Sequence, residues 1–363
     1  MSKSKWAILL AVVLLVASGA VFVNYFIHYP APLGAIVVPT DYPTIQAAIN
    51  NSSPGSTIYV RNGVYNELLV IDKPLTLIGE SRQNTVIKGY NIKSATFNTV
   101  IIQANNVSIS NFMVTGSSYG IGITDNASNC QITNNNIEGY LTGVGVNGNN
   151  HIVTGNNISE CLVWGLTCYG SNVLISENEF ENCSSGVFVQ ASNVTVEKNT
   201  FDSGSKYSVD EYDDGGIILT LGGPYIVYGN TLKGLNIGIV YEGASRSLVY
   251  NNSIIQNLVG ITLINYRFID STSGGMDNIF FSNNLIDNQR QAVVETTAHG
   301  TSALMNGTDV VSWDNGVIGN YWSDYQSRYP EATQNNAAGT YNTPYLIDGT
   351  NKDNHPLVQE VKT

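Results

Sequence analysis

A phrase of the form apolar-x-x-Asn-x-apolar recurs along this chain, at Ile132–Ile137, Val153–Ile158, Ile175–Phe180, Val196–Phe201, Val227–Leu232, Val249–Ile254 and Phe280–Leu285. Its markers Asn135, Asn156, Asn178, Asn199, Asn230, Asn252 and Asn283 follow one another at intervals of about 21, 22, 21, 31, 22 and 31 residues, the period of a solenoid. A second phrase, Gly-apolar-x-apolar, keeps the same beat at Gly120, Gly143, Gly165, Gly186, Gly216, Gly238 and Gly260, with Ala292 substituting in the last coil. The alternation in Gly143–Val146 and Gly186–Val189 has period two, so these are short strands with one buried face. Coils of about 22 residues with three such strands each describe an all-β fold, a single parallel β-helix. The marker Asn is expected at a left-handed bend, with its amide bonded to the next Asn of the stack, and Gly at the other corner for its backbone freedom. Both are read as architecture.

The chain carries 16 basic and 28 acidic residues, a net charge of −12, with only 12% of residues charged, which excludes an electrostatic nucleic-acid binder. A surface of Asn, Ser, Thr and Gly suits contact with neutral polar polymers such as glycans. Residues 6–27 form an uncharged apolar run behind Lys3 and Lys5, long enough to be a transmembrane anchor or a signal peptide, with residues 1–5 cytoplasmic and 28–35 a stiff linker. This places the bulk of the chain outside the cytoplasm as a single-pass membrane protein. Cys161 and Cys183 each lie five residues after a marker Asn and share a station in neighbouring coils, as a disulfide or as a stack of buried thiols. Cys168 sits at the station of Val146 and Val189 and belongs to the core. Sequons at Asn106, Asn126, Asn157, Asn182, Asn193, Asn251 and Asn306 offer sites for surface glycans, although an Asn-rich repeat generates such triplets by composition.

A solenoid must close its ends. At the N-terminal end Asp41-Tyr42-Pro43-Thr44-Ile45-Gln46-Ala47-Ala48-Ile49 reads as a capping residue, an early Pro and a short helix with Ile45, Ala48 and Ile49 on one face. Gly63-Val64-Tyr65-Asn66-Glu67 and Leu75-Thr76-Leu77-Ile78-Gly79 follow. Together these resemble the opening of pectin-lyase-like right-handed parallel β-helices. Gly319-Asn320-Tyr321-Trp322-Ser323-Asp324-Tyr325, with Thr343–Gly349 and Asp353-Asn354-His355-Pro356-Leu357, resembles the closing segment of NosD-like proteins, extracytoplasmic β-helices named for a periplasmic factor in copper-enzyme maturation. The resemblance spans about residues 36–358. It implies a right-handed β-helix over 36–312 and a C-terminal cap over 313–363, in which Tyr321, Trp322 and Tyr325 form a hydrophobic closure.

Two departures bear on function. Family members carry an Asp- and Gly-rich stretch before Thr343 that resembles a calcium site, whereas Arg328–Asn336 offers one carboxylate, leaving calcium as a weak expectation and no other cofactor. The four His, at 28, 151, 299 and 355, are scattered, and Met113, Met276 and Met305 form no Met-rich run, so no metal site is assigned and no copper role is carried over. The two long intervals mark loop insertions. The first, 202–215, holds Tyr207, Asp210, Glu211, Tyr212, Asp213 and Asp214, residue types that hold a cation or a stacked sugar; the second contributes Arg267 and Asp270. No catalytic residue is assigned, because the paired-Asp motifs of pectin methylesterases and the Asn-Thr-Asp, Gly-His-Gly and Arg-Ile-Lys motifs of polygalacturonases are missing. The sequence thus reads as a membrane-anchored, extracytoplasmic binding or structural module for carbohydrate. The alternatives are a polysaccharide lyase or glycoside hydrolase using the acidic loop, and a periplasmic accessory factor for a metalloenzyme. The oligomeric state stays open.

Overall fold

The computed structural model describes residues 30–90, 97–202, 215–264, 277–295 and 311–362. The apolar run over 6–27 lies outside them, and among the described residues no helix is long and apolar enough to cross a membrane. Three long parallel sheets wrap one core. Sheet A runs from Ile36–Val38 to Val311–Ser312, sheet B from Gly63–Tyr65 to Tyr321–Trp322 and sheet C from Leu69–Ile71 to Arg290–Glu295. Each coil crosses A, then B, then C, and every strand pairs in parallel with its counterpart one coil away. The parallel sheets agree with the right-handed β-helix that the terminal motifs imply. Inward positions form unbroken columns, such as Ile109, Ile132, Val153 and Ile175 on sheet A, all fully buried. Burying each such side chain contributes roughly 1.5–3 kcal/mol.

The marker asparagines and the left-handed bends are separate positions, which corrects the sequence reading. The left-handed residue at the A-to-B bend is the one before the marker: Asn134 (φ 52°), Glu177 (54°), Lys198 (53°), Asn251 (53°) and Ser282 (54°). A second exposed row, Asn106, Asn129, Asn150, Asn172 and Asn193, turns sheet C into sheet A with φ between 55° and 62°. The markers themselves are buried and form a ladder. Asn156 Nδ2 donates to Asn178 Oδ1 (3.0 Å) and to Ile132 O (2.9 Å), while the Asn156 backbone N–H donates to the same Asn178 Oδ1 (3.0 Å). The pattern repeats from Asn135 to Asn320, whose Oδ1 accepts from Asn283 Nδ2 at 2.9 Å. Each internal amide therefore uses both lone pairs and both protons, which a short side chain with a donor and an acceptor alone can do.

The glycine column also has a different cause from the one expected. None of the seven repeat glycines has positive φ. A Cβ on Gly165 would stand 2.6 Å from Phe180 Cδ1 and 2.8 Å from Gly186 O, and one on Gly238 would stand 2.5 Å from Gly260 O. Glycine is required because each coil lays a carbonyl against the Cα of the coil before it. In the last coil Gln291, not Ala292, stands opposite Gly260, since Ile261 pairs with Ala292. Gln291 instead bonds outward, its Nε2 donating to Ser323 Oγ (3.0 Å) and its Oε1 accepting from Asn288 Nδ2 (2.9 Å).

Both ends are closed by carboxylates. The helix α1 (Ile45–Asn51) buries Ile45, Ala48 and Ile49 over the first coil; its N-cap is Thr44, whose Oγ1 accepts from Ala47 N (3.1 Å). Asp41, expected as the cap, instead accepts from Val37 N (2.7 Å), one turn of chain too early for the helix. Glu67 supplies the rest of the cap, accepting from Ile45 N (3.0 Å) and Gln46 N (2.9 Å). At the other end Asp353 stands where a further ladder Asn would be. Its carboxylate accepts from Asn320 N (2.7 Å), Trp322 Nε1 (2.9 Å) and His355 N (2.9 Å). Trp322 is buried and stacks on Tyr345 with centroids 4.0 Å apart, and buried Tyr325 stacks on Tyr341 at 3.9 Å. Tyr321 is half-buried and extends sheet B against Asn284.

Breaking the ladder leaves buried donors unpaired, so Asn178→Ala should cost about 2–4 kcal/mol in urea denaturation, against at most about 1 kcal/mol for Asn193→Ala at an exposed bend. Equal costs would remove the ladder as the source of cohesion. Burial pushes the Asp353 carboxyl up to about 6, against the opposing pull of the Asn320, Trp322 and His355 donors. The folded state then holds more protons than the unfolded chain between about pH 4 and pH 6. This contribution is complete below about pH 4 and lost as pH rises through 6, so the advantage of the wild type over Asp353→Asn should shrink by about 3 kcal/mol from pH 4 to pH 7. Asp314, which burial would raise, is lowered by its bonds to Asn354, Gly316 and His355, and its own contribution to stability runs in the opposite sense.

Candidate functional site

The residues expected to bind ligand, Tyr207, Asp210, Glu211, Tyr212, Asp213, Asp214, Arg267 and Asp270, all lie outside the described residues. What is described is the strands that flank their segments. Residues 203–214 join the sheet B strand Thr200–Asp202 to the sheet C strand Gly215–Leu219, and 265–276 leave the sheet C strand Val259–Ile264. Both insertions therefore adjoin sheet C.

Sheet C also carries a surface groove among the described residues. Its strands Asn98–Ile102, Tyr119–Ile123, Thr142–Val146 and Trp164–Cys168 place Val100, Ile121, Val144 and Leu166 in the core and Ile101, Gly122, Gly145 and Thr167 outward, in register. Two successive outward positions thus lack side chains. The result is a cleft of about 280 Å³, floored by Gly122 and Gly145 and lined by Asn98, Tyr119, Thr124, Asn147, Thr167 and Tyr169. Asn147 Nδ2 donates to Ile123 O (3.0 Å), which aims its Oδ1 outward, and Thr124 Oγ1 donates to Ile102 O (3.3 Å). The Asn98 amide, Thr167 Oγ1 and the Tyr119 and Tyr169 hydroxyls have no hydrogen-bond partner among the described residues. Tyr169 is 51% exposed and packs its ring against Phe188, with centroids 5.7 Å apart. Such a row of neutral donors and acceptors between two tyrosines can exchange hydrogen bonds with a polyhydroxylated ligand.

A second cleft of about 300 Å³ runs along the A-to-B edge between Arg82, Glu177, Glu179 and Lys198. It is floored by ladder amides whose bonding capacity is already taken, and Arg82 is turned to Asn134 Oδ1 (2.9 Å). The first cleft keeps its polar groups available and is the stronger site.

Known proteins place the fold. The NosD family profile, described as periplasmic copper-binding protein, matches residues 49–209 and 124–327. This chain belongs to the NosD family. A cell surface glycoprotein of Methanothermus fervidus is 38% identical over 96 residues, 26% of this chain, and the match spans only 15% of that relative's length. Among solved structures, the A-module of a mannuronan C-5 epimerase from Azotobacter vinelandii has a TM-score of 0.58 at 14% identity, covering 76% of this chain and 81% of the module. A pectate lyase has a TM-score of 0.53 at 18% identity, covering 76% and 75%. At such identities these two show the shared β-helix alone.

Copper in the family description does not fit the donors described in this NosD-family chain. No three His, Cys, Asp or Glu side chains converge among the described residues. The four cysteines are free and buried, Cys130 donating to Ala104 O (3.2 Å) and Cys168 to Gly170 O (3.3 Å), and burial pushes the Cys168 thiol up to about 12. Cys161 and Cys183 are stacked thiols, and the contact with Cys161, ahead of burial, holds the Cys183 thiol well above its usual value. His151 is buried with its Nδ1 accepting from Cys130 N (3.1 Å), and burial lowers its pKa. Such sulfurs are core atoms, not ligands presented to an ion. A thiol reagent at pH 8 should therefore modify none of the four cysteines in the native protein and all four in denaturant; rapid native labelling of one or more would place that sulfur at the surface.

Proposed function

We propose that this NosD-family chain is an extracytoplasmic β-helix protein that binds carbohydrate along the outer face of sheet C, held to the membrane by its N-terminal apolar run. The observation that carries the reading is the groove itself, with Gly145 open in its floor and the Asn98 amide laid over Gly122, neutral hydrogen-bonding groups without a partner among the described residues, and tyrosines at both ends. The family's periplasmic description, the cell-surface relative and the basic residues ahead of the apolar run support the extracytoplasmic location. The fold is suited to the task because the groove needs no reorganisation to receive a chain of sugars, so little entropy is lost on the protein side.

The test is glycan binding followed by product analysis. A Cβ at position 145 would meet only Thr167 Oγ1 at 3.8 Å, so Gly145→Leu fills the groove without disturbing the core. Gly145→Leu should abolish binding and Tyr169→Ala should weaken it about tenfold, or roughly 1.4 kcal/mol, with thermal unfolding unchanged. Undiminished binding in Gly145→Leu would move the site elsewhere. Accumulation of new reducing or unsaturated ends would make the protein a carbohydrate-active enzyme.

A further inference from the structure

We infer that the sheet C groove selects uncharged glycans and rejects polyuronates; this inference rests on the carbohydrate-binding reading above and specifies its ligand class. Recognition of a uronate polymer needs a cation for the carboxylate that recurs on every sugar, most often an Arg fork or a Lys ammonium. No Lys, Arg or His lines the cleft. Among the described residues of the sheet C strands the sole basic side chain is Arg290, five strands beyond Trp164–Cys168. At about 4.8 Å per strand it lies ~24 Å away, beyond a Debye length at physiological salt.

Among the described residues, the charges nearest the groove have the wrong sign for a polyanion. Asp72 follows the strand Leu69–Ile71 and Asp125 lies two residues beyond Ile123, both exposed on the side where Thr124, Asn147 and Tyr169 leave the sheet. Lys73, beside Asp72, is drawn to the end of α1, where its Nζ donates to Asn50 O (3.1 Å). The net charge of −12 adds a repulsive field at longer range. What the groove presents instead is amide, hydroxyl and phenol, which exchange hydrogen bonds with sugar hydroxyls without requiring a counter-charge. The groups lie on four successive strands, so the partner is an extended chain crossing several coils rather than a single sugar.

The experiment compares neutral β-linked hexose oligomers with oligouronates of matched length, titrated against the full-length protein in a zwitterionic detergent at low and high NaCl. The neutral oligomers should bind with the same affinity at both salt concentrations, and the oligouronates at least about tenfold more weakly. Thr167→Lys, which sets an ammonium in the groove, should raise oligouronate affinity about tenfold at low salt and lose that gain at high salt, with thermal unfolding unchanged. Tighter binding of oligouronates by the wild type, abolished by Gly145→Leu, would overturn the selectivity while leaving the site in place. Binding of neither class would overturn the carbohydrate reading and this inference with it.

Discussion

The rest of the structure depends on one side-chain amide that accepts twice and donates twice. In each coil from Asn156 to Asn283 the ladder carboxamide receives the backbone and side-chain N–H groups of the coil before it and gives its own protons to the coil after it and to a backbone carbonyl. A parallel sheet by itself is tolerant of slippage where one face is polar, but a buried amide leaves four unpaired polar groups if its coil slides by one residue. The ladder therefore sets register for all three sheets. It also explains how the chain carries insertions: 31 residues separate Asn199 from Asn230 and Asn252 from Asn283, yet the amides meet at 3.1 and 2.9 Å, the same contact as in the uninterrupted coils. The ladder contact is thus kept across both long intervals.

Much of this was legible in the sequence because periodicity reports burial directly. The strand pattern, the coil length, the face of α1 and the core station of Cys168 all follow from which positions are apolar. The errors have a common origin, in that a residue type was matched to one physical role when it has two. Asn serves as ladder rung and as left-handed bend at adjacent positions, and only geometry separates Asn134 from Asn135. Gly was credited with conformational freedom when carbonyl contact demanded it. Gln291 was hidden because the column ends there, where no further carbonyl excludes a side chain. The groove was missed for a related reason: its residues are neutral, whereas attention went to clustered charge. The available signal was the pair of outward glycines, Gly122 and Gly145, between neighbours Ile101 and Thr167 and flanked by Tyr119 and Tyr169.

The motifs that carry the family resemblance turn out to be the two closures of the solenoid. Glu67 satisfies the first N–H groups of α1, and Asp353 receives the last ladder N–H together with the Trp322 indole. An aromatic series then runs from the final coil through the cap, from Phe280 to Trp313, Trp322 and Tyr345. These are requirements of any stack that must end, which is why the resemblance speaks strongly about fold and says little about ligand. The sulfurs described here and the Nδ1 of His151 are spent on packing and backbone bonds, while the groove lies on a face that the terminal motifs do not touch.

Because every interior coil offers its neighbour the same carbonyl, the same amide and the same three strand edges, the protein has no preferred number of coils. The number of coils is quantised: a gain or loss of one whole coil restores all contacts, whereas a slip of register within a coil breaks them. Sheet C shares that quantum, each unit widening the exposed face by one strand spacing of ~4.8 Å. The size of ligand that such a protein spans is thus set by counting coils, and its grip is adjusted by outward residues that the fold leaves free to vary.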